Sequence, residues 1–204
     1  MTSDSTMDQS GVRYSPTPFQ AFDVENRFHG TNVDVTVSEF WSWGFSDVRD
    51  NALRGVLAEF LVAKALGINL GVRQSWDSYD LQIDDGTTIE VKSSGYLQSW
   101  AQARHSQIAF SGLKARNWSS KSGYSVGREY RADLFIFGVQ TASEHDRYDR
   151  LDVNQWEWWV APRQVVEERG SRNITLGTVR NIAAGPVLFD NLLDVVERVR
   201  DGHE

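Results

Sequence analysis

Asp80, Glu90 and Lys92 combine the residue types and the spacing best suited to chemistry on a phosphodiester. They fall in two short alternating runs, Tyr79 to Ile83 and Thr87 to Lys92, separated by Asp84, Asp85 and Gly86. That pattern reads as a β-hairpin. A two-residue loop would pair Asp80 with Val91 and mix polar with apolar side chains on each face. A three-residue loop ending in Gly86 pairs Leu81 with Ile89 and Asp80 with Glu90, and its last residue needs the left-handed backbone that glycine supplies. Burial selects the second register, because a slip of one residue turns every side chain to the other face. Leu81, Ile83, Ile89 and Val91 then share a core face, and Asp80, Glu90 and Lys92 share the other. Two carboxylates across a hairpin stand about 5 Å apart at Cβ. They repel unless a cation lies between them. Hard oxygen ligands with room for water suit Mg²⁺ or Mn²⁺. Lys92 points to the same side and can orient a water or neutralise developing negative charge. These are the parts of metal-assisted phosphodiester hydrolysis.

A helix is expected just before this hairpin, over 46–66, with Ser46 as N-cap, Asp47 and Asp50 at its positive end and Gly67 closing it. Ala52, Val56, Glu59 and Ala63 fall on one stripe at three- and four-residue spacing. Glu59 interrupts that apolar stripe. A charge there is either paired in a salt bridge or serves as a third carboxylate of the site.

Helix with Glu59, then Asp80, then Glu90-Val91-Lys92, resembles the PD-(D/E)xK nuclease superfamily, which includes restriction endonucleases and repair and recombination nucleases. The resemblance covers roughly residues 46 to 111. Nine residues separate Asp80 from Glu90, a short spacing, and Tyr79 stands where a proline often precedes the aspartate. The wider pattern from Ser38 to Trp156 also resembles an uncharacterised bacterial group within that superfamily. The resemblance implies a restriction-endonuclease-like core and Mg²⁺-dependent cleavage of nucleic acid, with DNA the expected partner. It assigns Asp80, Glu90 and Glu59 to the metal and Lys92 to the water or the phosphorus. It also implies a Gln or Tyr near the phosphate, with Gln98 the preferred candidate and Tyr96 behind it. Ser93 and Ser94 can donate to phosphate oxygens.

The net charge of −7 disfavours a polyanionic partner overall. Its distribution does not: from Lys92 to Arg131 seven Lys or Arg stand against one acid, Glu129. Lys114, Arg116, Lys121 and Arg131 in that segment are therefore candidate backbone contacts, weighed against an ordinary solvated loop. With no cysteine there is neither a disulfide nor a thiolate metal site. The four histidines, His29, His105, His145 and His203, lack zinc-ligand spacing. Residues 1–20 are polar and read as a loose tail without the apolar run of a secretory signal. Residues 21–204 read as a single nuclease-like domain. No stretch approaches membrane-spanning length, so a cytoplasmic protein is expected.

In the rest of the chain, Gln107 to Phe110 suggests a short strand, 112–130 a loop or flap, and Ala132 to Val139 a central strand buried on both faces. Arg131 is expected to face the site. Trp156 to Val160 suggests a further strand whose tryptophans pack the core or a homodimer interface. Residues 163–170 and 189–200 suggest helices, the second burying Leu192, Leu193, Val195, Val196 and Val199. Together these predict an α/β (α+β) fold in which a helix, a three-stranded meander, a further strand and closing helices build a mixed central β-sheet flanked by helices. The rival functions are a nucleic-acid-binding domain of the same fold that does not cut, and an interaction protein using the tryptophan-rich C-terminal half.

Overall fold

The computed structural model describes residues 20–30, 32–73, 78–116, 118–119, 123–124 and 127–202. The expected tail falls outside them save for Gln20, and Lys121 lies outside them as well. In chain order the elements are α1 (Val37–Phe45), α2 (Asn51–Ala65), β1 (Leu81–Gln82), β2 (Thr88–Gly95), β3 (Ala109–Phe110), β4 (Trp118–Ser119) and β5 (Gly123–Tyr124). They continue with β6 (Leu134–Gln140), β7 (Trp156–Pro162), α3 (Arg163–Glu168), β8 (Ile174–Thr175), α4 (Leu176–Ile182), β9 (Ala184–Val187) and α5 (Leu192–Arg200).

The central sheet is mixed, in the order β1-β2-β6-β7-β9, with β2 and β6 parallel and the other pairs antiparallel. The expected meander is therefore corrected. A parallel neighbour needs a crossover, and residues 96–133 supply it, carrying β3 into a separate pairing with β8 on the way. Strand β6 is buried at all seven positions, as a central strand should be. Its alternate residues feed two cores. Leu134 and Ile136 pack with Ile89, Val91, Trp158 and the buried faces of α2 and α5. Phe135, Phe137 and Val139 pack with Trp159, Val166 of α3 and Val179 of α4. Helices thus cover both faces of the sheet. No helix among the described residues is long and apolar enough to cross a membrane.

Gly138 faces the Trp158 ring so closely that an added Cβ would lie 2.5 Å from it, so that position accepts no side chain. Trp156, Trp158 and Trp159 are all buried, which leaves the tryptophan-rich strand no exposed indole for a partner. Exposed aromatics occur elsewhere, among them four on α1, where Trp43 is 85% exposed, and Trp100 beside the turn after β2. In α5, Leu192, Val195 and Val196 are buried and Val199 partly so, but Leu193 is exposed, one position off the buried stripe.

The helix expected over 46–66 divides in two. Ser46 closes α1, a helix with a capping box at Thr36 and Glu39. Asp50 opens α2 by accepting the amides of Ala52 and Leu53. Leu66 caps it, followed by Gly67 at φ +68°.

Candidate active site

The hairpin forms in the expected register. Leu81 pairs with Ile89 and Gln82 with Thr88, and Gly86 closes the loop at φ +92°. The ladder stops there. The Asp80 amide donates to the Ile89 carbonyl at 3.0 Å. The Asp80 carboxylate turns in and accepts the Val91 amide at 2.7 Å. A side chain thus replaces the strand partner that β2 lacks beyond Ile89, and among the described residues the outer edge of β2 from Glu90 onward carries no strand. A cleft of about 620 Å³ opens along that edge, between α2 on one side and the segment around β3 on the other.

Asp80, Glu59, Lys92, Ser93, Ser94 and Gln98 all border this cleft. Lys92 Nζ donates to Glu90 Oε1, and both side chains are mostly enclosed. Burial pushes the Asp80 carboxyl up to about 7, the Glu90 charge adds to the push, and Lys92 opposes it. The acids foreseen as a pair from the hairpin are therefore close enough for the Glu90 charge to act on Asp80. Glu59 adds a smaller push of the same sign. Both of its oxygens are held by Arg73, Oε2 by Nε at 2.5 Å and Oε1 by Nη2 at 2.7 Å. That interaction raises the Arg73 pKa.

The face of α2 presented to the sheet differs from the expected stripe. Ala58, Leu61, Val62 and Ala63 are buried, whereas Ala52 and Val56 are exposed. Glu59 sits at the border between core and cleft. Arg54 sits within the buried stripe and is only 3% exposed. Sequence reasoning missed it, although Arg54, Ala58, Leu61 and Val62 share one helix face and the charge interrupts that face more sharply than Glu59 does. Asn51, Arg73, Ser106, Gln107 and Ser111 also border the cleft. No spacing in the sequence marks them.

Gln98 is 5% exposed. Its Nε2 donates to the Gly95 carbonyl at 3.2 Å and to Ser106 Oγ at 3.0 Å. Its Oε1 is buried without a partner. Tyr96 packs against the second core and the His105 ring, 6.0 Å between centroids, away from the cleft. The basic segment is also placed elsewhere. Lys114 Nζ lies 4.7 Å from the centre of the Tyr130 ring and donates to the Gly170 carbonyl at 3.3 Å. Arg131 donates to the Arg116 carbonyl at 3.5 Å. None of Lys114, Arg116 or Arg131 borders the cleft.

Among the described residues no three His, Cys, Asp or Glu side chains gather as a metal cluster. Mg²⁺ does not require three, because it keeps several waters and takes one or two carboxylates together with substrate phosphate oxygens. Asp80 and Glu90 fit that requirement: two hard-oxygen donors at the edge of β2, one of them driven toward protonation by burial and then by its neighbour's charge. No family model, curated protein or solved structure matches the chain.

Proposed function

We propose that this protein is a Mg²⁺-dependent nuclease with a restriction-endonuclease-like core that hydrolyses phosphodiester bonds in DNA. One observation carries the proposal. Asp80 and Lys92 border the polar cleft along the unpaired edge of β2, and Glu90 stands behind them, ion-paired to Lys92 and near enough for its charge to act on Asp80. Asp80 and Glu90 would hold Mg²⁺ or Mn²⁺, which supplies Lewis acidity and lowers the pKa of water. The Lys92 ammonium, paired with Glu90 here, would neutralise a phosphate oxygen or orient the attacking water. The water oxygen would bond to phosphorus as the bond to the leaving sugar oxygen breaks, the water giving up a proton to solvent and the sugar oxygen taking one from it. Ser93 and Ser94 donate to the phosphate, and Gln98 holds the turn after β2 through the Gly95 carbonyl.

A second reading has its own support. Glu59 and Glu90 are each neutralised by a cation of the chain, Arg73 and Lys92, an arrangement also suited to a domain that binds nucleic acid without cutting. Incubation with supercoiled plasmid, linear duplex and single strands, in Mg²⁺, Mn²⁺ or EDTA, separates the two. Metal-dependent nicking or linearisation, absent in EDTA and in Asp80→Asn, is expected. Binding of the same substrates with no cleavage in any metal would replace the nuclease with the binding domain.

A further inference from the structure

The far end of the cleft is built differently from the carboxylate end. Arg54 lies on the first turns of α2, and its side chain runs back toward the start of the helix. Nη1 donates to the Arg49 carbonyl at 3.0 Å and to the Leu97 carbonyl at 3.4 Å, and Nη2 donates to Asn51 Oδ1. All of these acceptors are neutral. Nε is buried with no acceptor. No carboxylate among the described residues forms an ion pair with this guanidinium, in contrast to Lys92 and Arg73. Burial lowers its pKa, with Tyr148 and then Asp50 opposing through their charge.

Two independent costs fall on this one group. A buried cation without a counter-charge is expensive. A cation at the positive end of a 15-residue helix also meets the helix dipole, which the N-cap Asp50 carboxylate opposes while it binds the Ala52 and Leu53 amides. An anion received from outside would relieve both. Arg54 and Asn51 border the cleft, as do Ser94 and Ser106. Glu59 and Asp80 border the same cleft, so an anion held at Arg54 would share it with the carboxylate end.

We propose that Arg54 is the centre of a second phosphate subsite in the same cleft as Asp80, which fixes the strand so that another of its phosphates lies at the carboxylate end. This subsite rests on the nuclease proposal for its biological ligand, but its chemistry is a phosphate oxyanion whether that comes from a strand terminus or from within a strand.

The first test uses inorganic phosphate in EDTA, with melting temperature and calorimetry as readouts. Phosphate should stabilise the wild type and Asp80→Asn, and its affinity should be roughly tenfold or more weaker in Arg54→Gln, the loss expected for charge-assisted hydrogen bonds. If phosphate leaves the wild type unchanged, or stabilises Arg54→Gln by the same increment as the wild type, Arg54 only pins the Leu97 carbonyl and the subsite is overturned. If Arg54→Gln does not fold, Arg54→Lys retains the charge without the forked geometry. It should bind phosphate several-fold more weakly, and equal affinity would overturn the proposal.

The second test compares 5′-phosphorylated duplex, 5′-hydroxyl duplex and closed circles in Ca²⁺. Preference for the phosphorylated end assigns a terminal phosphate, and equal binding assigns an internal one. In both cases the salt dependence should become shallower in Arg54→Gln, by about 0.9 in the log–log slope for a duplex. An unchanged slope overturns the subsite. Loss of Mn²⁺ binding and cleavage with the phosphate response intact would remove the nuclease proposal and leave the anion site standing.

Discussion

The two ends of the cleft along β2 handle charge in opposite ways. At the hairpin end each cation faces an acid: Lys92 meets Glu90, and Arg73 meets Glu59. Asp80, the acid without a cation of its own, is pushed up to about 7. At the α2 end Arg54 is held by neutral oxygens alone. The first end holds more negative charge than its cations balance and would gain from a divalent cation. The second holds a buried cation with no ion pair among the described residues and would gain from an anion. A bound metal and a bound phosphate backbone together would satisfy both, which is why the pairing of the two ends supports a nuclease more strongly than either end alone.

The largest effect tests the acid end directly. Asp80→Ala and Glu90→Ala should each lower cleavage by far more than the roughly 10–100-fold that loss of an outer partner of a metal ligand costs. Both should remain folded, because each removes one member of a repelling pair. Turnover at the wild-type rate in either variant would sink the division of the cleft into a metal end and a phosphate end. Lys92→Ala comes next, with a loss of about 10²–10³-fold in kcat, the scale for one group that stabilises transition-state charge. Calorimetry should still show Mn²⁺ binding, because Lys92 neutralises charge and does not coordinate. If it loses the metal as fully as Asp80→Ala does, Lys92 has the wrong role.

Glu59 sharpens the same contrast at a smaller scale. Arg73 occupies both of its oxygens, so Glu59→Gln should cost roughly 10–100-fold in activity through the charge it adds beside Asp80. The conservative swap Arg73→Lys should keep most of that activity. A large drop in melting temperature with normal turnover would make Glu59–Arg73 a purely structural bridge.

The acid end also predicts a pH dependence. A carboxyl whose folded pKa lies above its ordinary value binds more protons in the folded state than in the unfolded one. Stability therefore falls as pH rises, and for Asp80 the window runs from about its ordinary value near 3.8 to about 7. In EDTA the wild type should melt lower at pH 8 than at pH 5. Asp80→Asn should lose this part of the dependence, so the difference between the two proteins isolates it from acids such as Asp133, whose pKa is lowered by its hydrogen bonds to Thr88. Mg²⁺ should restore the wild type at pH 8. Parallel pH curves for the two proteins would mean that Asp80 is not under this strain.

The acid end was legible in the sequence and the cationic end was not, for physical reasons. Alternation over Tyr79 to Lys92 and a single glycine fix the hairpin register, because any slip exposes Leu81, Ile89 and Val91. Burial of Trp156 to Val160 and of β6 follows equally from their runs of large apolar residues. In α2 the same logic misleads. Ala52 and Val56 are apolar but exposed, and Arg54 is charged but buried, so assigning the core by residue type rotates the helix. The parallel β2–β6 pair could not be read from local pattern, because the strands described between them, β3, β4 and β5, are two residues each and carry no periodicity. The basic residues of that segment are clustered in sequence, yet the fold separates Lys114, Arg116 and Arg131 from the cleft.

That separation yields the smallest expected effect. Neutralising Lys114, Arg116 and Lys121 together should leave Mn²⁺ binding and kcat unchanged, since Lys114 is engaged with Tyr130 and the Gly170 carbonyl and neither it nor Arg116 borders the cleft. Any influence on DNA should be confined to affinity. Duplex DNA is much longer than the cleft, so a strand that leaves it can still pass over this surface. Each phosphate there that no longer meets a cation would take about 0.9 off the slope of log affinity against log salt. Ca²⁺ in place of Mg²⁺ keeps the carboxylate pair neutralised during the measurement and supports binding without turnover. An unchanged slope in the triple variant, beside a reduced slope in Arg54→Gln, would assign the electrostatic work to the cleft alone. A fall in kcat in the triple variant would instead bring the basic segment into the site and break the contrast between a built cleft and a solvated loop.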